Sequence, residues 1–450
     1  MIKLGTEQSE ALLRMEKFLE DDEQCLVLTG SAGVGKTFIL KEYLQYLESI
    51  GVNFVLCAPT HKAKSVLEEV TGYSAITVHK LLSLSPNIEI FNLDFRELEF
   101  KSLGLDIIPI QGLIIIDECS MITSALYDLI IKYATKHNSK VLFIGDECQL
   151  QGVNEGCISK VFEHTNRIKL TKIYRQVETN GLLPLLTKLR NTPIKSFEPI
   201  LKPEGSLYIY NKPKDFMLVA LEYFKEGIKH QDTSSVKLLA YTNARVKGLN
   251  ECMRKLLWND SEEYHQFEFL TGYENFEYNK DQFYNSQDYI ITNKPKKRDK
   301  LIPNFLKLPG YDLELYDKVD KLLLNVFILD RTINDDYISS LATRIEDIRM
   351  TALELKQAGK KQKAAIMWKS YFQMMKSFAT PEHLMFDNRI IKKKTFDYGY
   401  ACSTHKSQGS SLDTVFIDMS NIMNCKNKDE LRQLQYVSLS RTKTDAHILI

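Results

Sequence analysis

The sequence predicts an α/β protein built on parallel β-sheets, and three observations support this class. The apolar run Cys25–Leu28 leads directly into Gly30–Thr37, which matches the phosphate-loop pattern G-x-x-x-x-G-K-[ST]. Further uninterrupted apolar runs alternate with helical segments, as expected for strands that are buried on both faces of a sheet. Polar clusters follow the ends of these runs, where parallel sheets bind their ligands.

The spacing within Gly30–Thr37 has a chemical reason. Glycines allow successive N–H groups to turn toward a polyphosphate, and the helix predicted from about Lys36 to Leu47 directs its positive end at the same phosphates. Lys36 can reach the β- and γ-phosphates, and Thr37 can offer its hydroxyl to Mg²⁺. The other loop positions that we assign to nucleotide binding are Gly30, Ser31, Ala32, Gly33, Val34 and Gly35.

Composition narrows the class of protein. At 450 residues the chain is too long for one simple core, so we expect about two to four domains. The net charge of +1 gives no global attraction to nucleic acid or membranes, so any basic surface must be local. The eight cysteines include no C-x-x-C pair, which favours reduced thiols over disulfides or a zinc site. Neither a signal peptide nor an apolar run of about 18 residues is visible, so we expect a soluble intracellular protein.

The N-terminal segment is predicted to form a helix with Thr6 as its N-cap. Gln8 lies in the first turn of this helix. It is either a solvated amide without function or an amide that offers a donor and an acceptor to a planar base, and the residue alone favours the first interpretation. Apolar strands are then predicted at Phe54–Ala58, Gly112–Ile116 and Lys140–Ile144.

An acidic pair, Asp117 and Glu118, follows the second of these strands. Asp117 can hold Mg²⁺ through water, and Glu118 can orient or deprotonate an attacking water. Such a pair is otherwise a solvated strand end, but its position downstream of a phosphate loop favours the catalytic interpretation. Gln149 follows the next strand and could sense a γ-phosphate, although a structural role explains this residue equally well when it is taken alone.

The alternation of strands and helices is interrupted by Ile88–Phe100, where apolar and polar residues alternate around Asn92–Asp94. This pattern predicts a small β-hairpin inserted on a loop. Phe91 or Phe95, near its tip, could act as a wedge against a base pair. A plain surface hairpin explains the pattern nearly as well.

A second α/β domain is predicted from the strand Val236–Ala240 onward, with an interruption at 256–390. The interruption has the pattern of a small β-module followed by helices at about 335–357 and 361–378. The second helix has several lysines and no acidic residue, a pattern that is more often a solvated face than a binding site.

The last segment begins with a predicted strand at Thr395–Cys402, followed by the polar stretch Ser403–Gly409. A helix predicted at Leu431–Leu439 leads to Arg441. An arginine at the end of an apolar helix has no obvious structural partner, which favours a functional role.

Together, and in this order, these segments resemble superfamily 1 helicases of the subgroup that contains RecD, the phage T4 Dda helicase and Pif1. The matching segments are Gly30–Thr37, Ala58–Lys62, Asp117–Glu118, Gly145–Asp146, Gln149–Leu150, Tyr174–Arg175, Tyr241–Asn243, Ser403–Gly409 and Tyr436–Arg441. They extend toward both ends of the chain, and only 256–390 is unmatched.

The resemblance implies two RecA-like motor domains with parallel sheets, between which ATP would be hydrolysed. The first would comprise residues 1–82 and 107–178, and the second residues 179–255 and 391–450. A pin hairpin would occupy 83–106, and an inserted SH3-like β-module with a helical extension would occupy 256–390.

The resemblance also implies individual roles. Gln8 would recognise adenine, Thr37 and Asp117 would hold Mg²⁺, and Gly409 would contact the nucleotide. The catalytic residues would be Lys36, Asp117, Glu118, Gln149, Arg175 and Arg441, the two arginines acting as arginine fingers across the cleft. The residues that contact DNA would be Pro59, Thr60, His61, Lys62, Thr77, His79, Phe91, Phe95, Asn243, Thr404, His405 and Lys406.

The implied function is that of an ATP- and Mg²⁺-dependent DNA helicase that moves 5′ to 3′ on single-stranded DNA and acts at junctions with duplex. The implied protein is a monomer in the cytoplasm of a bacterium, or of a host cell if phage-encoded, with a single-strand-binding, replication or recombination protein as candidate partner. Two alternatives stay open: a nucleic-acid-stimulated ATPase or translocase, including the motor subunit of a larger complex, and an RNA helicase. A GTPase is disfavoured because no N-K-x-D motif is present, and a small-molecule kinase would leave Thr404, His405 and Arg441 unexplained.

Overall fold

A computed structural model describes residues 4–31, 33–86, 100–102, 112–151, 159–172, 180–302 and 307–450. The chain divides into two compact units. The first unit comprises Met1–Phe216, Lys237–Arg245 and Ser403–Ile450, and the second comprises Met217–Val236 and Val246–Cys402. The four domain boundaries implied by the resemblance stay a prediction.

The N-terminal part of the first unit alternates strands and helices, as the apolar runs predict. In chain order its elements are α1 (Thr6–Phe18), β1 (Cys25–Gly30), α2 (Lys36–Ser49), β2 (Phe54–Ala58), α3 (His61–Thr71), β3 (Ala75–Thr77), α4 (Val78–Leu81), β4 (Leu84–Pro86), β5 (Phe100–Ser102), β6 (Leu113–Ile116), α5 (Ser124–Lys136), β7 (Lys140–Gly145) and β8 (Arg167–Leu170). Short 3₁₀ turns cover Cys119–Met121 and Lys160–Glu163.

Six of these strands form one sheet in the order β3-β2-β6-β7-β1-β8. The recorded pairs are parallel, and β1 lies between β7 and β8 with Leu28 opposite Ile144 and Ile168. All residues of β1 are buried, as expected for a parallel strand that is covered on both faces. The phosphate loop therefore leaves from an interior strand of the sheet.

The start of α1 corrects one detail of the sequence analysis. Gly5, with extended backbone, occupies the N-cap position, and Thr6 is the first helical residue, so the prediction of Thr6 as N-cap is wrong. The amide of Gly5 donates to Oε1 of Gln8 at 3.0 Å. The glutamine side chain thus supplies the hydrogen bond at this helix end, and no hydroxyl cap is needed.

A two-stranded antiparallel pair flanks the segment 88–100 in which the small hairpin is predicted, and residues 87–99 lie outside the described part of the chain. Strands β4 and β5 pair with Leu84 opposite Ser102 and Pro86 opposite Phe100. Phe91 and Phe95 lie outside the described residues, so the wedge stays a prediction.

The remainder of the chain forms a second parallel sheet and a group of antiparallel strands. In chain order the elements are α6 (Leu182–Leu189), β9 (Leu207–Tyr210), α7 (Pro213–Lys229), β10 (Val236–Ala240), α8 (Asn243–Leu257), β11 (Phe269–Gly272), β12 (Phe276–Tyr278), β13 (Asp281–Phe283), β14 (Asp288–Ile291), β15 (Lys296–Leu301), β16 (Lys307–Asp317), β17 (Leu322–Leu329), α9 (Asp335–Gln357), α10 (Lys361–Lys376), β18 (Leu384–Phe386), β19 (Arg389–Lys392), β20 (Phe396–Tyr398), β21 (Ala401–Ser403), β22 (Thr414–Asp418), α11 (Met419–Ile422), α12 (Lys428–Ser440) and β23 (Ala446–Leu449). A 3₁₀ turn covers His405–Ser407.

The second parallel sheet brings together strands that are far apart in sequence. Its strands follow the order β10-β22-β23-β9, and β23 pairs in parallel with both β22 and β9. Helix α12 begins at Lys428, earlier than the predicted start at Leu431, because the side chain of Asn427 accepts from the amides of Asp429 and Glu430. Arg441 is the C-terminal cap of this helix.

The second unit contains the antiparallel sheet β15-β16-β14-β11-β20, with β17 paired to β16. Helices α9 and α10 match the two predicted helices and separate at Gly359, whose φ is 72°. The single strand predicted at Thr395–Cys402 is wrong. Oδ1 of Asn250 accepts from the amides of Tyr400 (3.0 Å) and Ala401 (2.7 Å), which ends the pairing of β20 before β21 begins.

Candidate active site

The phosphate loop has the backbone shape that its glycines predict. Gly33 and Gly35 adopt left-handed conformations with φ of 86° and 85°, which other residues rarely adopt. A Cβ added to Gly35 would lie 2.4 Å from Nε2 of Gln8. Helix α2 begins immediately afterward at Lys36, without a side-chain cap, so its first amides are available to an anion. Ala32 lies outside the described residues.

Lys36 is held over the loop by backbone oxygens alone. Its Nζ donates to the carbonyls of Gly30 at 2.7 Å and Ser31 at 3.1 Å. Among the described residues, no carboxylate lies within ion-pair distance of this ammonium group. The local charge is therefore balanced by carbonyl dipoles, which a phosphate could replace.

Gln8 is buried, with 4% of its surface exposed, so the solvated-amide interpretation is wrong. Its Nε2 donates to the carbonyl of Val34 at 3.1 Å, and its Oε1 accepts from Gly5. Gln8 thus connects α1 to the phosphate loop. This contact was not predicted from the sequence. Its recognition of adenine stays a prediction.

The acidic pair lies at the carboxyl end of β6. The amide of Asp117 donates to the carbonyl of Cys57 at 3.0 Å, and Glu118 has a left-handed backbone with φ of 53°. Burial and the neighbouring charge of Glu118 raise the pKa of Asp117 above its ordinary value, while Lys36 acts in the opposite direction. The two acids and the lysine are therefore close enough to interact, while the binding of Mg²⁺ by Asp117 and Thr37 stays a prediction.

Several buried polar atoms in and beside these segments are unsatisfied. Within the described part of the chain, five side-chain oxygens there have no hydrogen-bond partner: Thr29 Oγ1, Ser31 Oγ, Ser120 Oγ, Gln149 Oε1 and Ser410 Oγ. Buried polar atoms are normally paired, and leaving them unpaired costs free energy. These positions therefore fit a polar ligand such as a nucleotide with its bound water.

Arg441 is a buried cation, with 6% of its surface exposed, whereas Lys36 is half-buried. Its guanidinium donates to the carbonyls of Val437 (3.3 Å) and Ser410 (3.4 Å) and to the hydroxyl of Ser440 (3.0 Å). No carboxylate lies within ion-pair distance of it among the residues that the structure describes. A buried arginine without an acidic partner is expensive, and an anionic ligand would offset that cost.

The segment that holds Arg441 also contacts the loop that carries Gln149. Nε2 of Gln408 donates to the carbonyl of Leu150 at 2.8 Å. Gly409 has a left-handed φ of 71°, and a Cβ added there would lie 3.3 Å from Cβ of Ala63. The structure thus brings Gly409 and the Arg441 segment against the N-terminal part of the first unit. Arg175 lies outside the described residues, so its role as an arginine finger stays a prediction.

One contact in this region was missed by the sequence analysis. The hydroxyl of Tyr436 donates to Oδ2 of the fully buried Asp146 at 2.6 Å, across a separation of 290 residues. Both residues lie in segments that carried the resemblance, but neither had been given a role. No local sequence signal pairs two residues so far apart.

The residues proposed to bind DNA fall into two groups. Thr60 follows β2 and Thr77 ends the adjacent parallel strand β3, and their hydroxyls cap α3 and α4 by accepting from Ala63 (3.1 Å) and Lys80 (3.2 Å). Each hydroxyl can still donate to a phosphate. The other members of this first group are Pro59, His61, Lys62 and His79.

His61 and His79 lie close enough to interact electrostatically. Burial lowers the pKa of His79, and burial with the charges of Lys64 and His79 lowers the pKa of His61 to about 4. Both imidazoles are therefore neutral at physiological pH, so contacts with DNA at these positions would be hydrogen bonds and not ion pairs.

The second group lies in the C-terminal part of the first unit. Asn243 is exposed at the start of α8, and His405 lies 3.9 Å from Glu430, in the turn that also contains Lys406. Thr404 is fully buried, and its hydroxyl donates to the carbonyl of Ala240 at 3.3 Å. This placement favours a structural role for the Thr404 side chain, while its contact with DNA stays a prediction.

Comparisons with known proteins agree with this geometry. Residues 3–196 match the family described as AAA domain, and residues 398–449 match the UvrD-like helicase C-terminal domain. The mimivirus protein R530 from Acanthamoeba polyphaga mimivirus is 24% identical over 97% of this chain and 98% of its own length.

Two characterised relatives match over shorter segments. The ATP-dependent RecD2 DNA helicase of Deinococcus radiodurans is 37% identical over 35% of this chain and 20% of its own length. The ATP-dependent DNA helicase Dda of phage T4 is 26% identical over 57% of this chain and 58% of its own length. The matches thus span less than two thirds of either helicase.

Among solved structures, the Bacteroides Pif1 helicase in complex with ADP-AlF3 and single-stranded DNA superposes with a TM-score of 0.50 at 17% identity. The superposition covers 99% of this chain and 92% of that protein. The chain therefore has RecA-like α/β domains with additional antiparallel sheets, and the predicted resemblance to superfamily 1 helicases is confirmed.

Within the described residues, no helix combines the length and the apolar character needed to span a bilayer.

Proposed function

We propose that this chain, which has the motifs and the fold of superfamily 1 helicases of the RecD, Dda and Pif1 group, is an ATP-dependent DNA helicase that moves 5′ to 3′ on single-stranded DNA. One observation carries the proposal. Arg441 is buried without an acidic partner among the described residues, and the segment that holds it contacts the loop of Gln149. A triphosphate bound at the lysine loop would supply the missing anion.

The residues of the site suit hydrolysis of a triphosphate. Lys36 and the amides at the start of α2 would bind the β- and γ-phosphates. Mg²⁺, held by Asp117 and Thr37, would neutralise charge on the phosphate oxygens. Glu118 would orient the water and accept its proton as the water oxygen attacks the γ-phosphorus and the bond to the ADP oxygen breaks. Gln149, Arg175 and Arg441 would stabilise the charge of the transferring group.

Hydrolysis would drive movement because the site is built from both ends of the chain. Arg441 engages the γ-phosphate only when its segment is closed onto the lysine loop, so each cycle would change the position of that segment. The residues near Thr60 and Asn243 would hold the strand through phosphate and sugar contacts. The hairpin containing Phe91 and Phe95 would separate the duplex at a junction.

Finer assignments belong to the same proposal. We expect Mg²⁺ as the metal, a monomer as the working form, a cytoplasmic location, and a single-strand-binding, replication or recombination protein as partner. The solved Pif1 complex contains single-stranded DNA, which supports the choice of DNA over RNA as the track. The RNA helicase and the translocase without unwinding activity are the alternatives that the experiment below distinguishes.

The test is strand displacement by the purified chain on 5′-tailed, 3′-tailed and blunt duplexes, with DNA and RNA tracks. We expect ATP-dependent unwinding of the 5′-tailed DNA substrate. Lys36→Ala should abolish it, because the phosphates lose their cation, with a loss of at least ~10²-fold in ATP turnover. Lys41→Ala, on the same helix but outside the loop, is the matched control and should retain activity. Unwinding by Lys36→Ala would contradict the proposal.

A further inference from the structure

Asp146 is a buried carboxylate that receives groups from distant parts of the first unit. Its side chain is fully buried at the carboxyl end of β7. Oδ2 accepts the hydroxyl of Tyr436 at 2.6 Å, and Oδ1 accepts the amide of Cys148 at 3.0 Å. A guanidinium nitrogen of Arg190 lies 3.9 Å from Oδ1. The carboxylate thus has one local hydrogen-bond donor, Cys148, and two partners, Tyr436 and Arg190, from segments beyond the first parallel sheet.

The backbone of Asp146 positions the proposed γ-phosphate sensor. Its carbonyl accepts the amide of Gln149 at 3.1 Å, so the turn that buries the carboxylate also places the glutamine. Gln149 itself is buried with an unpaired Oε1 in the described part of the chain. The hydrogen bonds that hold the Asp146 carboxylate therefore also hold the turn that carries Gln149.

The partners of Asp146 position the proposed arginine finger. Tyr436 lies on α12, whose next residue, Val437, accepts from Nε of Arg441 at 3.3 Å. Gln435, on the same helix, binds both the amide and the carbonyl of Ile194, at 2.9 and 2.8 Å. This contact fixes α12 against the segment that follows Arg190. Tyr436, Arg190 and Arg441 thus belong to one packed body that meets Asp146.

We infer that Asp146 and Tyr436 form a positioning pair. This pair holds Gln149 and Arg441 in place around the γ-phosphate while water attacks it. A carboxylate without access to water is costly unless it is fully paired, and the hydroxyl of Tyr436 is its shortest contact. The inference rests on the proposed ATP hydrolysis and adds two residues that touch neither nucleotide nor DNA. Loss of the pair should slow turnover without weakening nucleotide binding.

Tyr436→Phe removes only the hydroxyl and is the direct test. We expect the kcat of DNA-stimulated ATP hydrolysis to fall about tenfold, because a hydrogen bond to a charged group is lost. The KM for ATP and the Kd for a fluorescent ATP analogue should change by less than about twofold. Asp146→Asn keeps an oxygen acceptor for Tyr436 but loses the charge that faces Arg190, so its kcat should fall less than that of Asp146→Ala.

Tyr400→Phe is the matched control. Tyr400 is also fully buried and also donates to a buried carboxylate, that of Glu268 at 2.9 Å, but it lies in the second unit. Its loss should lower thermal stability as much as Tyr436→Phe does while kcat stays unchanged. A kcat within about twofold of wild type in both Tyr436→Phe and Asp146→Ala would overturn the inference.

A double-mutant cycle completes the test and remains informative if one single variant folds poorly. If the pair acts as a unit, Tyr436→Phe combined with Asp146→Ala should be no slower than the slower single variant. Effects that multiply would overturn the inference. Absence of ATP turnover in the wild-type chain would instead contradict the proposed function, so the two failures are distinguishable.

Discussion

Four cations, two in each unit, have different kinds of partner. In the second unit, Arg331 donates to Asp397 at 2.8 Å, and Arg254 lies 3.2 Å from Glu268. In the first unit, Lys36 and Arg441 donate only to backbone carbonyls and a hydroxyl within the described part of the chain. All four cations are largely removed from solvent, so they differ in the groups that face them and not in their contact with water.

This difference distinguishes cations that stabilise the fold from cations that could bind an anionic ligand. A buried ion pair balances the charges of both of its members when the protein folds, so it needs no outside anion for that purpose. A cation without an acidic partner lacks this balance, and a phosphate can supply it. The first unit would therefore gain from binding a polyanion at Lys36 and Arg441, whereas Arg331 and Arg254 in the second unit already face carboxylates.

Replacing Arg441 should produce the largest effect. Arg441→Ala should lower the kcat of ATP hydrolysis by about 10³-fold, the scale expected for loss of an arginine finger, with little change in ATP affinity. Steady-state kinetics and equilibrium binding of a fluorescent ATP analogue provide the two readouts. Wild-type turnover in Arg441→Ala would show that Arg441 does not contribute to ATP hydrolysis.

Replacing Arg331 should affect stability and not chemistry. Arg331→Met leaves Asp397 and Glu263 without their guanidinium and should lower the free energy of unfolding by about 3 kcal/mol. Both tryptophans, Trp258 and Trp368, lie in the second unit, so tryptophan fluorescence during urea unfolding reports this unit. ATP affinity at low denaturant should be unchanged, and a variant that lost ATP binding instead would contradict the assignment of Arg331 as structural.

A smaller effect is expected at His61, a neutral imidazole that is next to the cation Lys62 in the sequence. The pKa of His61, lowered to about 4 by burial and nearby cations, makes it uncharged above about pH 5. Affinity for single-stranded DNA should thus be flat between about pH 6 and 8 and should rise only when His61 gains a proton at lower pH. Fluorescence anisotropy with a labelled oligonucleotide measures this.

The salt dependence of DNA affinity distinguishes a charged contact at Lys62 from a neutral contact at His61. Lys62→Ala should reduce the slope of log affinity against log salt by about 0.7, as expected when one phosphate contact to a single strand is lost. His61→Ala should weaken binding while leaving that slope unchanged. Equal slopes in the two variants would show that Lys62 contacts no phosphate.

The sequence predicted well what depends on local patterns. The pattern Gly30–Thr37 predicted a strand, a glycine turn and a helix, and the structure has β1, two left-handed glycines and α2 in that order. Apolar runs likewise predicted β2, β6 and β7, because a strand that is buried on both faces of a sheet consists mainly of apolar residues.

What the sequence could not predict depends on contacts between distant residues. The burial of Gln8 follows from its contact with Val34, and the burial of Thr404 follows from its contact with Ala240. Neither partner is identifiable from spacing. The capping role of Gly5 and the break between β20 and β21 were missed for the same reason, since the amide groups involved are taken by the side chains of Gln8 and Asn250.

The place of β1 inside its sheet has a mechanical consequence. Hydrogen bonds to β7 on one side and β8 on the other hold the strand along its length, so the lysine loop extends from a strand with neighbours on both sides. Such a strand opens less readily than one at the edge of a sheet. During the proposed cycle of ATP hydrolysis we therefore expect the C-terminal segments that approach the loop to move, while Lys36 stays in place.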